Sequence, residues 1–244
     1  MFEAKVRSDV LREVVNAVNI LVDEAKFNLS KSEVSIRSVD PAHVAMVSLV
    51  LGKKAFEEFS AGEGEIGIDL EKLKDVLRLA RGDEVISLRH EEDKNRLVVS
   101  VGNLTRRMSL VDTSSMSEPK LPNLEFLAEA VVRTEDLKQA VKASESISDH
   151  VTLTCNPDSF EIQSKGETDS VDLKLQKDLL EKLECKDTVS SMYPLEYFSK
   201  MINAISPQNV SLHLGNRYPI KIEFQIANGE GRGEYLLAPR IENE

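Results

Sequence analysis

Glu3–Ala17 reads EAKVRSDVLREVVNA, and 126 residues later Glu129–Ala143 reads EAVVRTEDLKQAVKA. Seven of the fifteen positions are identical: Glu3/Glu129, Ala4/Ala130, Val6/Val132, Arg7/Arg133, Leu11/Leu137, Val15/Val141 and Ala17/Ala143. Four more pairs keep their chemistry, namely Ser8/Thr134, Asp9/Glu135, Arg12/Lys138 and Glu13/Gln139. Self-similarity at about half the length of a 244-residue chain marks a duplicated architecture. Similar units set side by side favour a continuous surface over one deep catalytic pocket.

Both copies open alike. Phe2–Arg7 alternates as a strand, Ser8 is placed to cap, and Val10, Leu11, Val14, Val15, Val18, Leu21 and Val22 recur at helical spacing. In the second copy Thr134 takes the cap position, and Leu137, Ala140, Val141 and Ser144 form the stripe. Past the helix, Lys26–Leu29 and Ser35–Ser38 read as strands around a turn, matched by Thr152–Cys155 and Glu161–Ser164 around Asn156–Ser159. Val44–Leu51 and Val171–Leu175 supply a further strand each. Second helices follow, with stripes Leu70, Leu73, Val76, Leu77, Ala80 and Leu195, Phe198, Met201, Ile202, Ile205. The closing strands are Val85–Arg89, Leu97–Val101 and Thr105–Val111, then Val210–Leu214, Ile220–Ile226 and Glu234–Leu237. Few helices and many strands give an α+β class with mostly antiparallel sheet. Asp112–Asn123, DTSSMSEPKLPN, has no periodicity and reads as an extended surface linker. The expected domains are 1–112 and 126–244, joined by 113–125.

At 41% hydrophobic and 30% charged residues the chain is globular, and two domains of about 120 residues fit the usual size. No run of 18 apolar residues suggests a transmembrane helix, and the charged, alternating start shows no secretory signal. Cys155 and Cys185 lie without metal-ligand spacing and read as reduced thiols. The net charge of −11 argues against nucleic acid only if the charge is evenly spread, so its distribution decides.

Catalytic signatures are sparse. His43, His90, His150 and His213 stand apart with no ligand spacing, so neither a metal nor a cofactor is expected. Gly62–Gly67 matches G-x-G-x-x-G, but no parallel strand feeds it, and Glu63 and Glu65 would repel a pyrophosphate. It reads as a turn and the start of a strand. Plotted at about 100° per residue, the second helix sets Lys74 and Arg78 together opposite its apolar stripe, with Arg81 beside them and Lys72 on the far flank. Lys138 and Lys142 stack in the same way, and Lys200 lies on the outer face of the last helix. Acids gather in the first turns, at Asp9, Asp69, Glu135, Asp136 and Glu196, where they complement the helix dipole. If equivalent helices share one side of the sheet, the scattered cations become one lining able to meet a phosphate backbone without reading sequence.

The chain's end, Tyr235–Glu242, reads YLLAPRIE. With MFEA at the start, Ser38–Val44 (SVDPAHV) and the internal repeat, it resembles the archaeal–eukaryotic DNA sliding clamp family, proliferating cell nuclear antigen, along the whole length. The resemblance implies a DNA-clamp fold: two duplicated domains of antiparallel sheets, each with two helices, three subunits closing into a ring around double-stranded DNA. It implies no catalytic activity and no cofactor. The implied partners are a DNA polymerase, a clamp loader, a nuclease and a ligase, docking through short peptide motifs. The implied location is cytoplasmic and nucleoid-associated in an archaeon, nuclear in a eukaryote, and away from membranes.

Residue by residue, the resemblance implies a partner groove at Val39, His43, Val44, Met46, Leu121, Pro122, Phe126, Pro219, Ala238, Pro239 and Ile241. It places Lys74, Arg78, Lys138, Lys142 and Lys200 toward DNA, with Lys72 and Arg81 beside them. Asn19, Glu196 and Asn203 depart from the basic residues that related clamps often carry, so the lining is expected to be less basic. Subunit contacts are expected to pair Thr105–Leu110 with Ser159–Lys165 of a neighbour as edge strands, involving Met108, Phe160 and Ile162. Arg81, Arg106 and Arg107 would face Glu145 and Asp149 across that interface. The other readings are a specialised subunit of a heteromeric ring and, remotely, a soluble enzyme with an unrecognised site.

Overall fold

In the computed structural model, which describes residues 1–116 and 118–241, the repeat folds twice into the same local motif. The first copy begins with β1 (Phe2–Arg7), whose Phe2, Ala4 and Val6 are buried while the residues between them face outward. It runs directly into α1 (Ser8–Asn19), which buries Val10, Leu11, Val14, Val15 and Val18. Ser8 is not the cap that its position suggests. It is the first helical residue, fully buried, and its hydroxyl donates to the Gly82 carbonyl at 2.8 Å. A buried hydroxyl needs an acceptor, and this one finds it across the fold rather than in its own first turn. Thr134 is likewise buried as the first residue of its helix, and its Oγ1 has no partner among the described residues.

The first half continues with β2 (Glu24–Leu29), β3 (Glu33–Val39), β4 (Ala45–Gly52), β5 (Glu58–Ala61), β6 (Gly64–Asp69), α2 (Leu70–Leu77), β7 (Val85–Glu91), β8 (Arg96–Val101) and β9 (Leu104–Ser109). One antiparallel sheet runs β5-β1-β7-β8-β9, and β4, β3, β2 and β6 neighbour one another in that order in another. Phe2, Leu11, Phe27, Ile36, Leu73 and Leu97 line the apolar interior between the sheets and helices. Asp69 caps α2, its carboxylate accepting the Lys72 N–H at 2.9 Å. β5 escapes sequence pattern because it is short and half exposed, whereas β6 begins at Gly64, inside the Gly62–Gly67 stretch expected to start a strand. Gly67 lies inside β6, where a Cβ would stand 2.3 Å from the Val111 carbonyl oxygen. That close approach accounts for the last glycine of the G-x-G-x-x-G match without a phosphate. Val111 is expected to prolong β9 but instead bridges to Gly67, so β9 stops at Ser109.

The second half repeats the pattern: β10 (Ala128–Arg133), α3 (Thr134–Ser144), β11 (His150–Cys155), β12 (Ser159–Lys165), β13 (Ser170–Gln176), β14 (Lys182–Cys185), β15 (Val189–Pro194), α4 (Leu195–Ala204), β16 (Asn209–Leu214), β17 (Ile220–Ile226) and β18 (Gly231–Leu237). One sheet runs β13-β12-β11-β15, and β14, β10, β16, β17 and β18 are successive neighbours in another. This corrects the expected subunit contact. Ser159–Lys165 is not an edge strand, since β12 pairs with β11 on one side and β13 on the other. Phe160 and Ile162 are 0% and 1% exposed, in the core of their own chain. The edge next to them is β13, which among the described residues pairs with β12 alone.

Two compact units result. The first is Met1–Pro41, Met46–Lys120 and Gln225–Gly233; the second is Ala42–Ala45, Leu121–Phe224 and the residues from Glu234 onward. Each differs from the expected halves by a short exchanged segment. The turn between β17 and β18 joins the first unit because Ala227 N–H donates to Glu13 Oε2 at 3.0 Å and Gly52 N–H to Glu230 O at 3.1 Å. Ala42–Ala45 joins the second, where Val44 O accepts the Ala238 N–H at 2.9 Å.

Candidate nucleic-acid and partner surfaces

Within each unit the two helices pack on one another, and the repeat builds matching ties between them. Arg12 on α1 closes the end of α2. Its Nη2 donates to Leu77 O at 2.8 Å and Ala80 O at 2.7 Å, and its Nη1 donates to Gly82 O at 2.8 Å and Ser8 Oγ at 3.1 Å. The last carbonyls of a helix have no partner inside it, so a cation there satisfies them and the dipole together. Lys138, the repeat mate of Arg12, donates to Ile205 O at 2.8 Å, just past the end of α4. A second tie is also paired: Lys74 Nζ donates to Asn19 Oδ1 at 2.7 Å, and Ser199 Oγ to Glu145 Oε1 at 2.5 Å, with Glu145 the mate of Asn19.

These ties reorder the expected basic lining. Lys74 and Lys138 are half-buried and engaged between helices. Lys72, Arg78 and Lys200 are exposed and paired along their own helices, with Asp69 at 2.7 Å, Asp75 at 2.8 Å and Glu196 at 2.6 Å. Exposed pairs of this kind are weak, so the cations remain available to a phosphate. Lys142 and Arg81 are exposed, and their side chains have no ion pair among the described residues. Arg12 was legible as a charge kept across the repeat, but nothing in sequence shows that it points at carbonyls.

The expected groove residues fall mostly in the second unit. His43 has a positive φ of 57°, a conformation that His tolerates better than branched residues. The tail beyond β18 is held at two points, Ala238 N–H on Val44 O and Arg240 N–H on Met192 O at 2.7 Å, with Pro239 between them. Arg240 Nη1 also pairs with Asp149 Oδ2 at 3.0 Å. Leu121, Pro122 and Ile241 are exposed, and Pro219 is half-buried. Phe126 is packed more closely than a groove wall requires: its ring meets His213, Tyr218 at 81° edge-on, and the Lys221 ammonium 5.5 Å from its centroid. Glu223 secures that cluster, accepting from Lys221 at 2.9 Å and pairing with His213 Nε2 at 2.6 Å. In the first unit Val39 and Met46 face each other across β3 and β4.

Of the expected interface cations, Arg107 is exposed and Arg106 half-exposed on β9, with no side-chain partner among the described residues. Met108 alternates with Arg107, shares the inner face with Arg106 and is buried. Asp149 is already engaged, held below the usual carboxylate range by His150 and Arg240. Burial pushes the Cys155 thiol up to about 12, and Cys185 Sγ donates to Cys155 O at 3.3 Å, so both behave as structural thiols. Among the described residues no three His, Cys, Asp or Glu side chains gather as a metal site, and no helix is long and apolar enough to cross a membrane.

Two family models match the chain: Proliferating cell nuclear antigen, N-terminal domain, over residues 1–117, and Proliferating cell nuclear antigen, C-terminal domain, over residues 120–240. The DNA polymerase sliding clamp of Methanococcoides burtonii is 42% identical over 247 residues, with 100% of each chain covered. That of Halobacterium salinarum is 38% identical with the same coverage. Among solved structures, A. fulgidus PCNA bound to the C-terminal region of FEN-1 superposes with a TM-score of 0.94 at 30% identity, covering 100% of both chains. PCNA from Thermococcus kodakaraensis gives 0.91 at 26%, covering 98% of this chain and 100% of that one. Matched in both halves and along its whole length, the chain belongs to the proliferating cell nuclear antigen family of DNA sliding clamps.

Proposed function

We propose that the protein is a DNA polymerase sliding clamp, a homotrimer that closes around double-stranded DNA and tethers a polymerase, a nuclease and a ligase after a clamp loader has placed it. The observation that carries this reading is end-to-end similarity to archaeal relatives bearing that name, at 42% identity for one of them. The protein acts as a scaffold, without turnover of its own, in the DNA-bearing compartment of the cell. Lys72, Arg78, Arg81, Lys142 and Lys200 are its exposed cations for the phosphate backbone; Lys74 and Lys138 serve first as helix ties. A ring held topologically needs only weak attraction, which fits cations already shared with carboxylates. Partner peptides place apolar and aromatic anchors against His43, Val44, Pro219, Ala238, Pro239 and Ile241, with Leu121 and Pro122, all in the second unit. Phe126, part-exposed beside Tyr218, belongs to the same proposed surface.

The test is retention of a polymerase on DNA. With the purified chain loaded, retention is expected on closed circular DNA and lost once that DNA is linearised. Equal retention on both would refute topological tethering.

Between copies, β9 and β13, two of the edge strands among the described residues, are suited to pair, with Arg106 and Arg107 carried on β9. Sedimentation should give three times 27.2 kDa for the native chain. Arg107→Glu is expected to shift mass toward monomer at low protein concentration. An unchanged ring mass would rule out a role for Arg107 in that contact.

A further inference from the structure

The segment that joins the two halves is seated on the first unit before it reaches Leu121. Val111 N–H donates to the Gly67 carbonyl at 2.9 Å, and the backbone there passes too close for any side chain at residue 67. Two residues on, the Thr113 hydroxyl hydrogen-bonds the Glu65 carboxylate and holds it below the usual range. Further along stands Arg37 on β3. Its Nη1 donates to the Pro119 carbonyl at 3.4 Å and lies 3.4 Å from Glu118 Oε1.

Strand register explains this track. Lys26 pairs with Gly67, and the next residue, Phe27, pairs with Ile36. Phe27, Ile36, Ile66 and Ile68 are buried in the core, so Lys26, Arg37 and Gly67 share the opposite face. The Lys26 side chain is only 14% exposed there. Arg37 Nε is shielded and has no acceptor among the described residues. Such shielding on an outward face fits a segment lying across it.

We propose that Arg37 is a positioning residue for the partner groove: it latches Glu118 and Pro119 and so sets how the chain enters Leu121 and Pro122. The proposal rests on reading Leu121 and Pro122 as groove wall. The contact at Gly67 is a close fit of backbone on backbone and stays shut. The contact at Arg37 is long, partly solvated and electrostatic, so it is where the linker opens. A partner that needs a wider groove can release the latch without disturbing the sheet.

The test uses the full-length chain, Arg37→Ala, and the charge swap Arg37→Glu with Glu118→Arg. Trypsin cleavage after Lys120, an exposed residue in the linker, reads opening with no partner present. Arg37→Ala is expected to speed that cleavage roughly 3- to 10-fold, and the swap to return it close to the native rate. Binding of a FEN-1 C-terminal peptide should weaken roughly 2- to 5-fold in Arg37→Ala and recover in the swap. Thermal unfolding of each variant separates latch opening from general destabilisation. Unchanged cleavage in Arg37→Ala overturns the latch, as does a swap that restores nothing. Faster cleavage with unchanged peptide affinity overturns the positioning role. If the peptide fails to bind even the native chain, the groove reading falls, while cleavage still judges the latch.

Discussion

Arg12→Ala should lower the unfolding free energy by about 2–4 kcal/mol, and Lys138→Ala by about 1 kcal/mol. The two residues are repeat mates doing the same task with different reach. Arg12 serves three carbonyls, Leu77, Ala80 and Gly82, together with the Ser8 hydroxyl. Lys138 serves one carbonyl, Ile205. A planar guanidinium offers five N–H groups in a fixed fork, whereas an ammonium is a point donor on a flexible stem. Removing Arg12 therefore takes a charged donor from three carbonyls at once; Gly82 O keeps the Ser8 hydroxyl and Leu77 O keeps the Ala80 N–H, so the part-buried Ala80 O carries most of the desolvation cost. The chain has two units and need not unfold in one step. Hydrogen exchange at the end of α2 and the end of α4 is thus the sharper measurement alongside urea titration. Protection should collapse at α2 in Arg12→Ala and drop only modestly at α4 in Lys138→Ala. Equal, small losses in both would show that the carbonyls are satisfied by water and that Arg12 is a surface residue.

Phe160→Ala should cost about 3–5 kcal/mol in the stability of the second unit. The ring is fully buried between the strands and helices of its own chain, so its loss leaves a cavity in the core. The contrast with an interface role is direct. A residue buried only by a neighbouring copy would, when truncated, change ring mass and leave the unfolding of dilute monomer untouched. Dilution until the native chain is monomeric, followed by urea unfolding of both proteins, separates the two. A Phe160→Ala monomer as stable as the native one would return Phe160 to the interface.

Local pattern carried much of the fold. The strand–helix opening of each half, the apolar stripes of α1 to α4 and the hairpins around Ser30–Glu33 and Asn156–Ser159 were all readable, because each depends on spacing within about a dozen residues. β5 and β14 were not readable, since four-residue strands with mixed exposure carry too few alternations, and β15 was missed because a polar residue, Ser191, fills one of its buried positions. The caps misled for a related reason: Ser8 and Thr134 have the right chemistry in the right place, but both are buried first residues of their helices, Ser8 bonded to the Gly82 carbonyl and Thr134 without a partner among the described residues. The candidate surfaces divided in the same way. A lysine stripe can be plotted on a helix wheel, yet Lys74 and Lys138 turn out half-buried because a second helix lies within reach of them.

Duplication, the α+β class and membership of the clamp family followed from the amino-acid sequence alone, since repeats, periodicity and motifs are properties of the order of residues. Tertiary structure decided which strands are edges, which cations are spent inside the fold, and where the linker is held. Those outcomes turn on residues far apart in sequence, such as Arg12 with Ala80, Gly67 with Val111 and Arg37 with Pro119. A pairing between distant residues leaves no period in the chain, because only folding brings its donor and acceptor to hydrogen-bond distance.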